Sequence, residues 1–203
     1  MLQGMIYDPS DQELISLRQK CHRLCRDYNN SLEEETEKRA EILRLLDVKH
    51  GDVCCFQGPI YFDYGCNITV GNNFYSNFNF TILDSSPVII GENVFIGPGV
   101  SLVTPIHPLL SRERNLFVSN KGYITDKEYA KPIIIKDNCW IASNVIICGG
   151  VTIEEGCVIG AGSVVTKSIP KNSFAAGNPC KVIREINEDD SIYLKKGLFE
   201  DNL

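Results

Sequence analysis

Residues 135–165 read IKDNCWIASNVIICGGVTIEEGCVIGAGSVV and repeat with a period of six. An aliphatic residue opens each repeat, at Ile135, Ile141, Ile147, Ile153, Ile159 and Val165. Four residues after each of the first five stands a small or apolar residue, namely Cys139, Val145, Val151, Cys157 and Ser163. A period of six matches neither an α-helix, at about 3.6 residues, nor an amphipathic strand, at about 2 residues. It is typical of a hexapeptide-repeat β-helix, in which each hexapeptide forms one flat face of a coil and three complete a turn.

The same period is present earlier in the chain and is then interrupted. Earlier repeats open at Val70, Ser76 and Ile82, and after an offset of two at Ile90, Ile96 and Leu102. Residues 103–131 lack the period, which resumes at Ile135. A loop of this length inside a regular solenoid is uncommon and is often functional. We therefore predict a long loop that leaves the coil at 103–131.

Two helices are predicted before the repeat. Apolar residues recur at helical spacing over residues 11–28, and Ser10 or Asp11 can cap the start. Ser31 and Glu34 form a capping-box pattern, which predicts that a second helix begins at Ser31. The two helices form a hairpin too small to hold a core of its own, so it should pack on the repeat region.

The chain divides into three parts on this interpretation. Residues 1–51 form the N-terminal helical hairpin, residues 52–186 form the β-helix, and residues 187–203 form an acidic tail that is helical or disordered. Pro170 is predicted to end the last coil. A β-helix exposes a sheet edge at each terminal coil, and segments outside the repeat must cover these edges.

Composition narrows the class of protein. Apolar residues make up 43% of the 203 residues, which is typical of a soluble globular protein. The net charge is −6, which argues against nucleic acid or an anionic membrane as partner.

No apolar run approaches the ~20 residues that span a bilayer. The acidic, polar N-terminus does not form a signal-peptide core, so a cytoplasmic location is expected. The nine cysteines include no Cys-x-x-Cys pair, and we interpret them as reduced, buried small residues.

His107 is the candidate catalytic residue among three histidines. It stands in TPIHPLL, where the solenoid gives way to the long loop, whereas His22 and His50 are interpreted as surface residues of the helical region. A histidine at this junction can be held by the coil and still meet solvent, and its intrinsic pKa suits general-base work on a hydroxyl. The alternative from the residues alone is a histidine that only anchors the loop. No nucleophile elbow, phosphate-binding loop or metal-ligand spacing is present, so direct transfer without a metal is predicted.

Several motifs together resemble one family. They are LRQKCHRLCRDYN, YGCNITVGNNFYSNFNFTILD, GENVFIGPGV, TPIHPLL, NCWIASNVIICGGVTI, GAGSVVTKSIP and AAGNPCKVIRE. Across about residues 4–186 the chain resembles the maltose and galactoside O-acetyltransferases of the hexapeptide-repeat acyltransferases. The resemblance implies a mainly β fold built on a left-handed parallel β-helix, whose N-terminal hairpin caps the acceptor site. It also implies a homotrimer with active sites between subunits, and acetyl transfer from acetyl-CoA to the hydroxyl of a small sugar.

The resemblance also assigns roles to residues on the acceptor side. It implies that His107 is the general base and that Asn77, in YSNFNF, is a catalytic asparagine of the acceptor site, which bonds the sugar or the intermediate. The positions that match the acceptor pocket are Arg18, Asp63, Tyr75 and Glu128. Asp8 or Asp11 loosely matches a further acceptor-binding acid. The chain departs from the pattern around LFVSNKGYITD, where the loop between His107 and Pro132 is longer than in shorter family members.

The acetyl-CoA side maps to the later coils. Trp140 and Ser143 match positions that line a groove for the pantetheine arm. Further matching contacts are Ala161, Thr166, Lys167, Lys181 and Arg184, of which the last two meet the nucleotide end. Such cations are needed because the ligand's phosphates are anionic while this chain is acidic overall.

Two alternatives remain open from the sequence. One is a hexapeptide acetyltransferase for another acceptor, such as an amino sugar, an oligosaccharide or an antibiotic. The other is a solenoid without catalysis, either a scaffold or a relative of the gamma-type carbonic anhydrases. A carbonic anhydrase needs several metal-binding histidines, and the chain offers only His107 near the coil.

Overall fold

A computed structural model describes residues 1–195 of the chain. Its main body is a solenoid in which successive short strands pass through three parallel sheets in turn. The first sheet contains β1 (Lys49–His50), β4 (Ile68–Val70), β7 (Val88–Ile90), β14 (Ile133–Ile135) and β17 (Thr152–Ile153). The second contains β2 (Cys54–Phe56), β5 (Phe74–Ser76), β8 (Phe95–Ile96), β15 (Trp140–Ile141), β18 (Val158–Ile159), β20 (Ser173–Ala176) and the antiparallel β21 (Lys181–Glu185). The third contains β3 (Ile60–Phe62), β6 (Phe80–Leu83), β9 (Ser101–Val103), β16 (Ile146–Cys148) and β19 (Val164–Val165).

This arrangement confirms the β-helix predicted from the six-residue period. Residues that open the repeats point into the prism, and every one of them from Ile135 to Val165 is fully buried. The residues four positions later are buried as well, including Cys139, Cys157 and Ser163. Burial of one aliphatic side chain per strand on each face supplies the hydrophobic stabilisation that such short strands lack individually.

Asparagines form the corners that separate the faces. Asn73, Asn93 and Asn138 have positive φ values of 55°, 55° and 60°, the left-handed region that asparagine tolerates better than most residues. Their side chains also bond one another between coils, with Asn73 Nδ2 donating to Asn93 Oδ1 at 2.9 Å and Asn93 Nδ2 donating to Asn138 Oδ1 at 3.2 Å. The ladder therefore fixes both the turn and the spacing of successive coils.

The N-terminal helices pack on the solenoid, and the second begins later than predicted. Helix α1 (Gln12–Asn29) is capped by Asp11, whose side chain accepts from Glu13 N–H, and it packs against β3. Helix α2 (Thr36–Leu45) begins five residues after the predicted Ser31. The reason is that the Ser31 hydroxyl donates to the Tyr28 carbonyl at 2.5 Å and therefore closes α1 instead of capping α2.

The coil also continues further than predicted. Pro170 does not end it, because β20 adds a further parallel strand beside β18, with Phe174 opposite Val158. Strand β21 then folds back antiparallel on β20 and covers the edge of the second sheet. After it, two short 3₁₀ turns occupy Glu188–Asp190 and Ile192–Leu194, and the rest of the predicted acidic tail lies outside the described residues.

The long loop has secondary structure of its own. It contains β10 (Pro105–Ile106), α3 (Ser111–Arg114), β11 (Phe117–Val118), β12 (Ile124–Thr125) and β13 (Tyr129–Ala130). β10 pairs antiparallel with β13, and β11 pairs antiparallel with β12. The pairing of β10 with β13 closes the base of the loop where it leaves the solenoid.

Two further sequence predictions concern cysteines and membranes. All nine cysteines are free thiols, but the predicted burial is wrong for Cys55, which is exposed, and for Cys54, Cys66 and Cys148, which are partly exposed. Among residues 1–195, no helix is both long and apolar enough to cross a lipid bilayer.

Candidate active site

His107 lies directly after β10 and faces two carboxylates brought in by the other end of the loop. Its Nδ1 is 3.3 Å from Asp126 Oδ2, and its Nε2 is 3.6 Å from Glu128 Oε1. The imidazole is 52% exposed, whereas the two carboxylates are 19% and 18% exposed. The β10–β13 pairing creates this cluster, since it places Ile106 opposite Tyr129.

A cavity of about 600 Å³ opens beside His107, and we call it the His107 cavity. It contains three of the predicted acceptor residues, Arg18, Asp63 and Glu128. The remaining lining residues are Pro9, Ser10, His22, Tyr64, Leu83, Ser85, Val103, Pro105 and Asp126. Its walls therefore come from α1, the coils and the loop.

Charged groups in the His107 cavity are fixed by neighbours. Arg18 donates to the Tyr64 hydroxyl at 2.6 Å and to the Pro9 carbonyl at 2.7 Å. His22, predicted to be a surface residue, lines the cavity with its Nε2 3.5 Å from Asp63 Oδ1. Burial raises the pKa of Asp63, and the nearby His22 partly opposes this rise.

The N-terminal segment ties itself to the loop through hydrogen bonds. The Tyr7 hydroxyl donates to Glu128 Oε2, and the two backbones form an antiparallel bridge. Burial, followed by the hydrogen bond to Glu128, raises the pKa of Tyr7, so this hydroxyl stays a donor. Asp8 accepts from the Tyr123 and Thr125 hydroxyls, so its carboxylate anchors the loop. Asp11 caps α1, and neither Asp8 nor Asp11 lines the His107 cavity.

Asp84 is a fully buried carboxylate behind this cavity. It accepts from the backbone N–H groups of Tyr64 at 2.8 Å and Asn67 at 3.3 Å. Burial is the largest influence on it and raises its pKa to about 6, against the opposing effect of these hydrogen bonds. Sequence reasoning missed Asp84, because its burial depends on the packing of successive coils.

We expect Asp84 to make stability depend on pH. Because the pKa is raised in the folded state, native Asp84 binds a proton that the unfolded chain has lost. The contribution of Asp84 to the free energy of unfolding is fully present below about pH 4, the pKa of an aspartate in the unfolded chain. It is lost as pH rises through about 6, the pKa of Asp84 in the folded protein. The free energy of unfolding should fall by about 3 kcal/mol from this group over that window. Urea unfolding of the wild type and of Asp84→Asn at several pH values measures this change. If the free energies of unfolding of the two proteins changed with pH in parallel, the assignment would be contradicted.

A second cavity, of about 550 Å³, lies on the face of the second sheet, and we call it the Trp140 cavity. It is lined by Tyr75, Asn77, Phe95, Ile96, Gly97, Pro98, Trp140, Ala142 and Ser143. Trp140 and Phe95 are adjacent in register and each is 53% exposed, which gives the cavity an apolar wall. Gly97 allows its close approach to the next coil, because an added Cβ would lie 2.7 Å from Ser143 N.

Asn77 is oriented within the Trp140 cavity. Its amide oxygen accepts from the Phe78 N–H at 2.8 Å. Because the amide oxygen is engaged in this bond, the Nδ2–H₂ group is the part of the side chain that can donate to a ligand. A rigid N–H donor of this kind can stabilise an oxyanion.

The structure thus divides the predicted catalytic pair between two places. Among residues 1–195 none lines both cavities: His107 is in one, and Asn77 is in the other. Tyr75, predicted on the acceptor side, lies with Trp140 and Ser143 instead.

The remaining residues predicted for acetyl-CoA lie on the later coils and are exposed. They are Ala161, Thr166, Lys167, Lys181 and Arg184. None of them lines either of the two cavities. Arg184 donates to both carboxylate oxygens of Asp190, at 2.6 and 2.7 Å, and this pair lowers the pKa of Asp190 to about 2. A phosphate at Arg184 would have to compete with Asp190.

One cluster within residues 1–195 has the composition of a metal site. His107, Asp126 and Glu128 each offer one ligand atom, and these atoms lie within 4.8 Å of one another. Nitrogen and carboxylate oxygen ligands suit Zn²⁺. The absence of a metal requirement therefore stays a prediction.

Comparison with known proteins decides the family. Residues 1–46 match the maltose acetyltransferase hexapeptide capping motif, residues 132–167 match the bacterial transferase hexapeptide, and residues 87–107 match a hexapeptide repeat of succinyl-transferase. The galactoside O-acetyltransferase of Escherichia coli is 42% identical over 95% of this chain and 91% of its own length. The chain belongs to the galactoside and maltose O-acetyltransferase family. This confirms the resemblance seen in the motifs and places the chain among the acyltransferases.

Solved members of the family have the same fold. A maltose O-acetyltransferase from Clostridium difficile is 44% identical, with a TM-score of 0.81 over 92% of this chain and 95% of its own. A galactoside acetyltransferase in complex with coenzyme A is 40% identical, with a TM-score of 0.80 over 98% of this chain and 93% of its own. A hexapeptide-repeat acetyltransferase from Vibrio cholerae, solved with acetyl coenzyme A, is 33% identical, with a TM-score of 0.80 over 93% of this chain and 97% of its own.

Proposed function

We propose that the chain transfers an acetyl group from acetyl-CoA to a hydroxyl of a small maltose-, glucose- or galactoside-like sugar. The observation that carries the proposal is His107 at the mouth of a polar cavity, in a chain whose relatives are sugar O-acetyltransferases. Donor and acceptor are both substrates, and the reaction needs no metal. The nine free thiols fit a cytoplasmic location, where cysteines stay reduced.

The Trp140 cavity fits the donor. Its Trp140 and Phe95 side chains offer apolar area to the pantetheine arm, and relatives of the same fold bind coenzyme A or acetyl coenzyme A. Ala161, Thr166 and Lys167 extend the contacts along later coils, and Lys181 and Arg184 meet the phosphates. The donor would therefore run from the Trp140 cavity toward the last coils, with its phosphates at the far end. Lys181 and Arg184 suit this direction, because both lie in the last strand, β21.

The His107 cavity fits the acceptor. Asp63 and Glu128 accept hydrogen bonds from sugar hydroxyls, and Arg18 holds the cavity wall through Tyr64 and Pro9. Carboxylates suit this task because each oxygen accepts bonds from adjacent hydroxyls.

His107 performs the proton transfers. Its Nε2 takes the proton of the acceptor hydroxyl as that oxygen attacks the thioester carbonyl carbon. The tetrahedral oxyanion accepts hydrogen bonds from the Asn77 amide or from Ser143. Its collapse breaks the C–S bond, and His107 returns the proton to the departing thiolate, so that the ester and free CoA are formed.

The separation of His107 from Asn77 supports a site between two copies. One reacting carbon must be reached by both residues, yet they lie in different cavities of one chain. A closed ring brings the His107 cavity of one copy against the Trp140 cavity of the next, with the same interface repeated around it. We propose the homotrimer that the family resemblance implies, with three such sites.

A coupled assay tests the proposed function. Free thiol released from acetyl-CoA is measured against a panel of glucose, maltose, galactosides, an amino sugar and chloramphenicol, with mass spectrometry of the product. We expect O-acetylated neutral sugars to give the highest kcat/KM. Preferred acetylation of the amino sugar or the antibiotic would favour the other acceptors, and thiol release with none would favour a scaffold.

A further inference from the structure

Asp126 lies near a different ring nitrogen of His107 from Glu128. Its Oδ2 lies 3.3 Å from His107 Nδ1, while Glu128 lies near the other ring nitrogen. Within residues 1–195, His107 is the only basic side chain that forms an ion pair with Asp126. The two carboxylates thus lie near different nitrogens of the same imidazole ring.

We propose that Asp126 is a positioning residue for His107: its carboxylate accepts the Nδ1–H and leaves Nε2 unprotonated to receive the proton of the acceptor hydroxyl. The proposal rests on the proposed function. The same carboxylate stabilises the imidazolium that forms after proton transfer, as an aspartate does in a hydrolase triad. The proton on Nδ1 stays there throughout, and only Nε2 exchanges a proton with substrate and product.

Glu128 is unsuited to this task. Its Oε1 is 3.6 Å from His107 Nε2, farther than the 3.3 Å that separates Asp126 Oδ2 from Nδ1, and its Oε2 is already bonded to Tyr7. An acceptor hydroxyl placed beside Nε2 and Oε1 can bond to both, because its oxygen fits at about 2.8 Å from each. Glu128 therefore lies on the substrate side of His107, near Nε2. Asp126 lies near Nδ1, the ring nitrogen that does not contact the substrate.

The β11–β12 hairpin of the loop holds Asp126 in place. Asp126 directly follows β12, and the preceding Thr125 donates its hydroxyl to Asp8 while Tyr123 donates to the same carboxylate at 2.5 Å. The N-terminal segment that carries Asp8 is in turn bridged to Glu128 through Tyr7. Asp8 thus fixes the segment that carries Asp126. Its carboxylate bonds to the loop, and Asp8 does not line the His107 cavity.

Other charged groups also face His107 in its cavity. From the loop these are Asp126 and Glu128, from α1 they are Arg18 and His22, and from the coil after β3 it is Asp63. Tyr7 and Tyr64 are also titratable neighbours, although burial raises the pKa of both. Only Asp126 and Glu128 come within 4 Å of the imidazole as ion-pair partners in the described chain.

Histidine NMR of the whole protein tests the proposal without relying on activity. Three histidine signals are expected, and the one missing from His107→Ala identifies residue 107. Wild-type His107 should be the Nδ1–H tautomer when neutral. In Asp126→Ala the tautomer should shift toward Nε2–H, because Nδ1 loses its acceptor. Glu113→Ala, which removes an exposed carboxylate from the same loop, should leave the tautomer unchanged.

Kinetics provide the second readout. Asp126→Ala should lower kcat by about 10- to 100-fold, less than the ~10⁴ of a fully buried triad aspartate, because Asp126 is partly solvated. The KM for acetyl-CoA should stay unchanged, and Asp126→Glu should recover part of kcat.

Three results would overturn the proposal. An unchanged His107 tautomer in Asp126→Ala would do so, whether or not the protein acetylates sugars. A loss of kcat in Asp126→Ala that Asp126→Glu does not partly restore would make Asp126 merely structural. Activity removed by dialysis against EDTA and restored by Zn²⁺ would make both residues metal ligands. If instead wild type acetylates no acceptor while the NMR result holds, the proposed function fails and the His107–Asp126 pairing stands.

Discussion

Replacing His107 by alanine should lower kcat by about 10²–10⁴, the range expected when a general base is removed. The imidazole lies at the mouth of the His107 cavity with Nε2 directed toward Glu128 and the acceptor space. Without it the attacking hydroxyl keeps its proton, while the bound substrates keep their other contacts. The KM for acetyl-CoA should therefore change little, since the donor cavity does not contain His107.

His50→Ala is the matched control for this change. His50 is exposed, and its Nδ1 is 2.8 Å from the carbonyl oxygen of the neighbouring Gly51. Initial rates of thiol release at saturating acetyl-CoA measure both variants. A His107→Ala protein with near-normal kcat would remove this residue from the mechanism and leave it as a loop anchor.

Replacing Phe80 by alanine should lower the free energy of unfolding by about 3–5 kcal/mol, the usual cost of emptying a large buried site. Phe80 is fully buried in a cluster of aromatic rings inside the first coils. Its ring centroid lies 6.3 Å from that of Phe74 and 6.4 Å from those of Phe56 and Phe62. The rigid solenoid cannot collapse onto the cavity, because each strand is fixed by neighbours in its sheet.

Phe117→Ala gives the comparison, because Phe117 is 41% exposed on the hairpin of the loop. It should change the free energy of unfolding by less than about 1 kcal/mol. Urea unfolding at one fixed protein concentration measures both, since oligomerisation makes apparent stability depend on concentration. Equal effects of the two substitutions would contradict the packing described for the first coils.

The solenoid could be predicted from the sequence because its signal is local and repeated. Each hexapeptide carries its own inward residue, and Ile135, Ile147 and Ile159 are buried as the period predicts. The segments at the two ends of the solenoid were harder to predict, because their structure depends on contacts between residues that are distant in sequence. Ser31 resembles a helix cap in sequence, yet its hydroxyl bonds Tyr28, and the strand at Ser173–Ala176 lacks the repeat although it pairs with β18.

The site was predictable only in part for a similar reason. His107 stands where the period stops, which marks it without knowledge of the fold. Asp126 carries no such signal, because its approach to His107 depends on the pairing of β10 with β13 across the whole loop. His22 was missed since its neighbour Asp63 is brought near only when α1 packs on the coil. The roles assigned to Tyr75 and to the exposed lysines remain predictions.

Subunit mixing tests most directly the claim that His107 of one copy acts with Asn77 of another. His107→Ala and Asn77→Ala chains, each of low activity, are co-expressed with different tags, and the mixed oligomers are purified through both tags. In a mixed ring of three, about one third of the sites pair an intact His107 with an intact Asn77. We therefore expect the mixture to show about one third of the wild-type kcat per site. Activity no higher than the average of the two separate variants would contradict a site shared between copies.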